Sequence, residues 1–486
     1  MTIKQKTLQG LSWSFIDNFV AQGISFIVNV VLARLIVPAE FGVLGIITFF
    51  IAISSSFVDS GFGSALIRKK DHTQSDCSTV FYFNVVVAIF LYILIFFTAP
   101  FAESYFNIPG LTLLLRVAFT GLVINAASAI QYTLLVKSID FKTKTKITIT
   151  SDTLSGITAI ILACNGFGVW SLIWKTVLGQ SFTAILLWVL NSWRPTIVFS
   201  FKSFKELFGF GYKLTLSGLI NTIFTNIFYP IIQKNFSSSI LGFYTQAEKF
   251  TNLFSTTLTS NIQRVSFPVL SNIQDDPEKL KNGYQKIIKS TMMITFSLML
   301  GLAAVAKPLI VILIGEQWLP AVPYIQLMCF SFMLYPLHAM NLNMITVKGR
   351  SDLFLKLEVI KKLIHLPLIF VGIYLGVEAL LIGMIVLSII AYFLNSYYSS
   401  RLINYSFKAQ LADILPLLAV ALCVSLLVWC ITFLNWNNWL TIILQIIIGI
   451  LLTIIVYEIM EQPNYEEMKE IVFDTMRAVK LAQKKS

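Results

Sequence analysis

The sequence predicts an all-α polytopic membrane protein of about 14 transmembrane helices: two six-helix lobes related by an internal repeat, followed by a C-terminal helix pair. Three observations carry this expectation: the composition, a succession of long apolar runs, and an alternation of basic charge between the loops. Of 486 residues, 56% are hydrophobic and only 12% are charged, against about a quarter charged in a soluble domain. With a mean hydropathy of +0.78, such a chain could not keep its surface in water, which argues against a soluble enzyme or a nucleic-acid binder. Lys and Arg outnumber Asp and Glu by 36 to 24. In a membrane chain that excess reflects cytoplasmic loops facing anionic lipid.

The elements follow from the need for about 20 mostly apolar residues per span. Lys4 and Lys6 precede an apolar run without a small-residue cleavage site, so Leu11 to Arg34 reads as an uncleaved first span. The next spans are Phe41 to Leu66, Thr79 to Pro100, Leu111 to Val136, Lys146 to Cys164 and Val169 to Asn191. Glu206 to Gln233, Ile240 to Val269, Lys286 to Ile314, Pro320 to Val347, Leu353 to Leu375 and Val377 to Ile403 form a second set. Leu411 to Leu434 and Trp439 to Met460 close the series. These runs are too long and too evenly apolar for barrel strands. The organisation expected is an N-lobe at 1–200, a C-lobe at 201–405, an extra pair at 406–462 and a cytoplasmic tail at 463–486. In that tail Met468, Ile471, Val472, Met476 and Val479 fall at the spacing of an amphipathic helix.

Loop charge tests the order of the spans. Alternate connections, with the N-terminus and tail, hold 26 of the 36 basic residues, among them Lys69, Lys142, Lys144, Lys202, Lys281, Lys348 and Lys408. The opposite connections contribute only Lys234. Both termini are therefore expected in the cytoplasm. Cys77, Cys164, Cys329, Cys423 and Cys430 form no C-x-x-C pair, and with His72, His338 and His365 they make no metal-ligand spacing. No metal or cofactor is expected, beyond a sodium ion or proton as coupling ion. No phosphate-binding loop occurs, and the outward connections are too short for a catalytic domain.

An internal repeat sits at an offset of 200 residues. Arg34-Leu-Ile-Val-Pro-Ala-Glu-Phe41-Gly42 ends the first span, and Lys234-Asn-Phe-Ser-Ser-Ser-Ile-Leu241-Gly242 ends the seventh. Each glycine opens the next span, as in transporters built from repeated bundles.

The segment Leu32-Ala-Arg-Leu-Ile-Val-Pro-Ala-Glu-Phe-Gly-Val-Leu-Gly45 resembles the first-hairpin signature of Wzx-type polysaccharide flippases, in the multidrug/oligosaccharidyl-lipid/polysaccharide (MOP) exporter superfamily. Leu241-Gly-Phe-Tyr-Thr-Gln-Ala-Glu-Lys-Phe250 and the stretch from Arg264 to Asp276 are similar to the colanic-acid-exporter branch. The resemblance implies a MATE-like pair of lobes that opens alternately to each side. It implies a multi-pass protein of the bacterial inner membrane, not an enzyme, that moves an undecaprenyl-pyrophosphate-linked oligosaccharide repeat unit to the outer leaflet in polysaccharide or lipopolysaccharide biosynthesis. The partners implied are that lipid-linked glycan, the bilayer and the glycan polymerase machinery, without nucleic acid. The alternatives are a MATE-like drug or cation exporter, whose cargo favours an acidic cavity, and a membrane sugar polymerase or ligase, which the short outward loops disfavour.

Charge inside the spans points the same way. Arg34, Arg116, Lys175, Lys213, Lys249, Arg264, Lys307, Lys361 and Lys362 lie inside the spans, with Asp17, Asp59, Asp152, Glu248 and Glu358 among the carboxylates there. A charge near the bilayer centre costs about 3 kcal/mol, so each is a candidate for a wet, substrate-facing position. Their positive excess suits a pyrophosphate, which Arg grips bidentately and Lys meets as a point charge. Arg34 and Arg264 lie where their heads can reach the interface. Lys249 and Lys175 lie about 13 and 9 Å inside the outer edge, and Lys361 about 12 Å from the inner one. Lys249, Lys175, Arg116, Lys213, Lys361 and Lys362 are thus the expected cationic lining, although Glu358 can neutralise one of the last two. Ion coupling would need a carboxylate among oxygen ligands. Asp17 beside Asn18, Asp59 amid Ser54 to Ser60, and Asp152 beside Thr150 and Ser151 qualify, and interhelical hydrogen bonding explains each equally well. His338 and His365 read as packed polar groups.

Overall fold

A computed structural model describes residues 3–59, 61–434, 436–467 and 469–470; the tail positions Met468, Ile471, Val472, Met476 and Val479 lie outside them. Eighteen α-helices follow one another. The first ten are α1 (Ile3–Leu35), α2 (Pro38–Asp59), α3 (Phe62–Arg68), α4 (Gln74–Phe106), α5 (Leu111–Ala126), α6 (Ala129–Lys137), α7 (Phe141–Cys164), α8 (Val169–Leu190), α9 (Phe201–Asn226) and α10 (Phe228–Asn235). Then come α11 (Ser238–Asn272), α12 (Pro277–Ile314), α13 (Val322–Phe332), α14 (Tyr335–Val347), α15 (Ser351–Leu375), α16 (Val377–Ile403), α17 (Phe407–Cys430) and α18 (Asn438–Ile459).

Each expected span holds a helix or a broken pair. By length and composition, ten helices among the described residues can cross a membrane, or eleven if α5 and α6, bent by 43°, count as one. The bend has a local cause. Ser128 Oγ donates to the carbonyls of Ile124 and Asn125, competing with the helical ladder, while Trp188 Nε1 donates to the Ala127 carbonyl at 3.0 Å. Three expected spans fall outside the ten or eleven. The apolar stretch of α1 covers only Phe19–Leu35. The other two, α11 and α15, run for 35 and 25 residues and fall short in apolarity, not length.

The chain divides into two compact units, Met1–Thr245 and Gln246–Ser486. In the first, α7 packs against α1 and α8, α4 against α5, and α9 against α2 and α3. By packing, α9 and α10 therefore belong with the first unit, whereas the sequence repeat groups them with the second lobe. In the second unit the deeply buried α12 packs against α13, α17 and α18.

The 200-residue repeat recurs residue for residue at one helix crossing. Helices α1 and α10 end at 35 and 235, and α2 and α11 begin at 38 and 238. A Cβ on Gly42 would lie 1.8 Å from the Ser238 carbonyl oxygen, and one on Gly242 would lie 1.9 Å from that of Pro38. The two contacts exchange under the offset, as in an interface with two-fold symmetry. Only glycine permits this backbone approach, in the manner of small-residue helix crossings in membranes.

Candidate functional site

Two of the three predicted coupling carboxylates come together. Asp17 on α1 is 5% exposed, and its Oδ2 pairs with Lys144 Nζ on α7 at 3.0 Å. Two turns along α7, the half-buried Asp152 interacts electrostatically with Lys175 on α8 and with Asp17. Two carboxylates and two ammonium groups make a set neutral overall, which is how charge survives inside a span. Asp17 Oδ1 and Ser151 Oγ are buried without hydrogen-bond partners among the described residues, two oxygens that can meet a proton or a small cation. The Asn18 side chain is outside the described residues. Asp59, at the end of α2, is exposed and stands apart from this set. The sequence groups Lys144 with the cytoplasmic loops. Helix α7 starts at Phe141, five residues before the expected span, and carries it inward.

Of the other cations of the first unit, Arg116 is held in place by α4. Arg116 on α5 donates through Nε and Nη2 to the Phe96 carbonyl at 3.2 and 3.0 Å and stacks 3.9 Å above the Phe96 ring, so backbone and ring on α4 hold its guanidinium. Arg34 is exposed near the end of α1, and Lys213 is exposed on α9 with its ammonium 5.9 Å from the Tyr212 ring.

Helix α11 is different. Thr251, Ser255 and Thr259 form a buried row of small hydroxyl side chains, and Ser255 Oγ donates to the Phe332 carbonyl at 3.0 Å. On the opposite side Lys249, Thr256, Ser260 and Arg264 are all exposed. At 100° per residue these four lie within about 80° of one another. They make a polar, doubly cationic stripe about 22 Å long, most of a bilayer core. Hydrocarbon is a poor solvent for such a stripe, and its place is against water or a polar cargo. Lys249 and Arg264 were found from sequence. Thr256 and Ser260 were missed, although their spacing from Lys249 was the available signal.

On α15, Lys361 pairs with Glu358 one turn away, as the spacing had suggested, and Lys362 is half-buried. Lys307 on α12 is exposed. His338 Nε2 lies 3.0 Å from Ser388 Oγ and His365 Nδ1 lies 3.2 Å from the Lys361 carbonyl oxygen, both packed groups as expected. Cys77 and Cys329 are buried, whereas Cys164, Cys423 and Cys430 are exposed.

Sequence reading also missed an apolar groove of about 470 Å³ walled by α12, α17 and α18, with Leu298, Gly301, Val424, Gly449 and Ile450 among its lining. Its signal is tertiary, because it needs three helices to meet. Its volume suits a chain-like or drug-sized apolar ligand.

Long apolar helices in succession define a polytopic membrane protein. The chain belongs to the polysaccharide biosynthesis protein family, whose profile matches residues 31–323, in agreement with the resemblance at Leu32 to Gly45. It is 26% identical over 378 residues to the lipopolysaccharide biosynthesis protein WzxC of Escherichia coli K12, covering 76% of each chain. It is 25% identical to an uncharacterized membrane protein in the cps region of Klebsiella pneumoniae, over 92% of this chain and 94% of that one. Among solved structures, the lipid II flippase MurJ in an inward closed conformation shares the fold with a TM-score of 0.75 and 16% identity, over 93% of this chain and 99% of its own. A MATE family multidrug resistance transporter of the MOP superfamily matches with a TM-score of 0.62 and 17% identity, over 79% and 98%.

Proposed function

We propose that this chain is a flippase, a transporter rather than an enzyme, that moves a lipid-linked oligosaccharide repeat unit from the cytoplasmic to the outer leaflet of a bacterial inner membrane by alternating access. The observation that carries this reading is the stripe on α11. Two cations would hold the linking pyrophosphate, and the hydroxyls of Thr256 and Ser260 offer the hydrogen-bonding chemistry a glycan needs. The groove beside α18 supplies apolar surface for a polyisoprenoid tail of the undecaprenyl kind. An ion gradient or the membrane potential drives the cycle, with Asp17 and Asp152 as the favoured coupling carboxylates and Asp59 as a third. The Asp17 cluster, with its unpartnered Oδ1, supports that assignment. The basic loops support cytoplasmic termini, and glycan polymerase machinery is the expected downstream partner. A drug-cation exporter would call for an acidic stripe in the same place.

The test is charge reversal. Lys249→Glu should reach the membrane at wild-type level while surface polysaccharide falls about tenfold and lipid-linked repeat units stay on the cytoplasmic face, since one charged hydrogen bond is worth about 1.5–3 kcal/mol. Lys249→Ala should lose less, because it removes attraction without adding repulsion. Wild-type export by both variants would overturn the cationic pathway.

A further inference from the structure

A second crevice in the second unit lies at the opposite end of the spans from the lysine-rich loops. Its volume is about 500 Å³, and α12, α13, α16 and α17 wall it with Ala303, Ala304, Phe330, Leu426 and Trp429 among its lining residues. Its floor and rim can be read along the helices. Leu300, which lines it, lies 14 residues before the end of α12, while Glu378 is the second residue of α16 and Trp429 the penultimate residue of α17. At 1.5 Å per residue the crevice reaches about 20 Å inward from the span ends, a little more than one leaflet of a core about 30 Å thick. One phospholipid occupies that depth, headgroup at the rim and acyl chain below.

The rim is chemically specific. Glu378 is exposed and has no hydrogen bond or ion pair among the described residues. A carboxylate in the first turn is favoured by the helix dipole whatever lies near it, so its position alone implies no ligand. Here, however, it stands over an apolar crevice of lipid length. Gln326 lines the same crevice, and its Nε2 is committed to the Ala303 carbonyl at 3.2 Å. That leaves Oε1 as a further acceptor. Trp429, partly exposed at the rim, is the amphipathic residue that membrane interfaces favour.

We propose that this crevice binds an aminophospholipid of the outer leaflet, its primary ammonium held by the Glu378 carboxylate and Gln326 Oε1 and one acyl chain lying along Ala303 and Ala304. A primary ammonium offers three N–H donors to these acceptors. A choline headgroup offers none, and an anionic glycerol headgroup meets a like charge. The crevice shares Ser425 with the α12, α17 and α18 groove but otherwise has its own lining, and its headgroup test does not depend on the flippase reading.

The experiment uses the full-length protein in detergent with equimolar phosphatidylethanolamine, phosphatidylcholine and phosphatidylglycerol of identical acyl chains, scored by native mass spectrometry for lipids that survive activation. The wild type should retain phosphatidylethanolamine about tenfold over phosphatidylcholine, the value of one charged hydrogen bond. Glu378→Gln, at an exposed position that does not threaten folding, should bring that ratio near one. Ala304→Phe, which fills the crevice, should lose the retained lipid, and a melting curve like the wild type's identifies the folded variant. Equal retention of the three lipids by wild type, preference for phosphatidylglycerol, or an unchanged ratio in Glu378→Gln would each overturn the proposal.

Discussion

The two units pack their helices in different ways. In the first, polar groups bind one another: Asp17 takes Lys144, Arg116 takes the Phe96 carbonyl, and Gly42 and Gly242 bring backbone against backbone. The second pairs polar groups as well, Lys361 with Glu358 and Lys289 with Asp413, and it packs more adaptably. Every methionine except Met1 lies after residue 290, and Met292, Met299, Met328, Met340 and Met344 are all buried. Methionine fills irregular space and tolerates repacking, and this is the unit with two lipid-sized grooves. The contrast teaches that an intramembrane charge indicates function only once its local partners are known. Lys175, Arg116 and Lys249 look equivalent in sequence. The first is drawn to a carboxylate and the second to a carbonyl of the first unit, and Lys249 is exposed on α11 in one row with Thr256, Ser260 and Arg264.

The largest effect should come from breaking the internal pairing. Asp17→Ala leaves the half-buried Lys144 without its carboxylate, and removing one member of a buried ion pair costs up to about 3–5 kcal/mol. Its thermal melt in detergent should fall well below that of the wild type. Pairing Asp17→Asn with Lys144→Met should recover most of the loss, because no lone charge then remains. An Asp17→Ala melt equal to the wild type's would remove the ionic half of the contrast.

Backbone contact gives the next effect. At Gly42 or Gly242 an alanine Cβ would meet a carbonyl oxygen inside 2 Å, and the helices must separate at a cost of about 1–3 kcal/mol. In the second unit Gly301 has nothing within 4 Å of its would-be Cβ. Gly301→Ala should therefore be neutral, or stabilise by up to about 1 kcal/mol through helix propensity. Melting temperatures of the three alanine variants decide the point, and a Gly301→Ala loss as large as that of Gly42→Ala would break the comparison.

These cases also mark what the sequence made legible. The repeat could be read because it lives in local order: a basic residue, a fixed spacing and a glycine, twice. The contact it encodes could not, since nothing in either copy says that Gly42 rests on Ser238. The helices could be read from apolar runs, and α11 and α15 blur a count by hydropathy because their composition includes charge. Asp17 could be singled out as a buried acid, but its partner lies 127 residues away on a segment that resembles a basic loop. The grooves were invisible because they require helices distant in sequence to meet.

The smallest effect separates the two meanings of an intramembrane arginine. If Arg116 acts through the Phe96 carbonyl, its work is to tie α4 to α5, and Arg116→Ala should lower stability by about 1–2 kcal/mol, the worth of a charged hydrogen bond to backbone. Part of that loss is stacking on the Phe96 ring, worth about 0.5–1 kcal/mol. Lys should therefore restore less than its charge suggests, because an ammonium lacks the planar fork that serves the carbonyl and the ring together. Polysaccharide export, normalised to the protein in the membrane, should remain at wild-type level in both variants. The same normalisation applied to Lys249→Glu should leave its defect in place, since that residue is exposed on the stripe. If Arg116→Ala melts like the wild type and exports poorly, Arg116 belongs to the pathway and the first unit takes part in gripping the cargo.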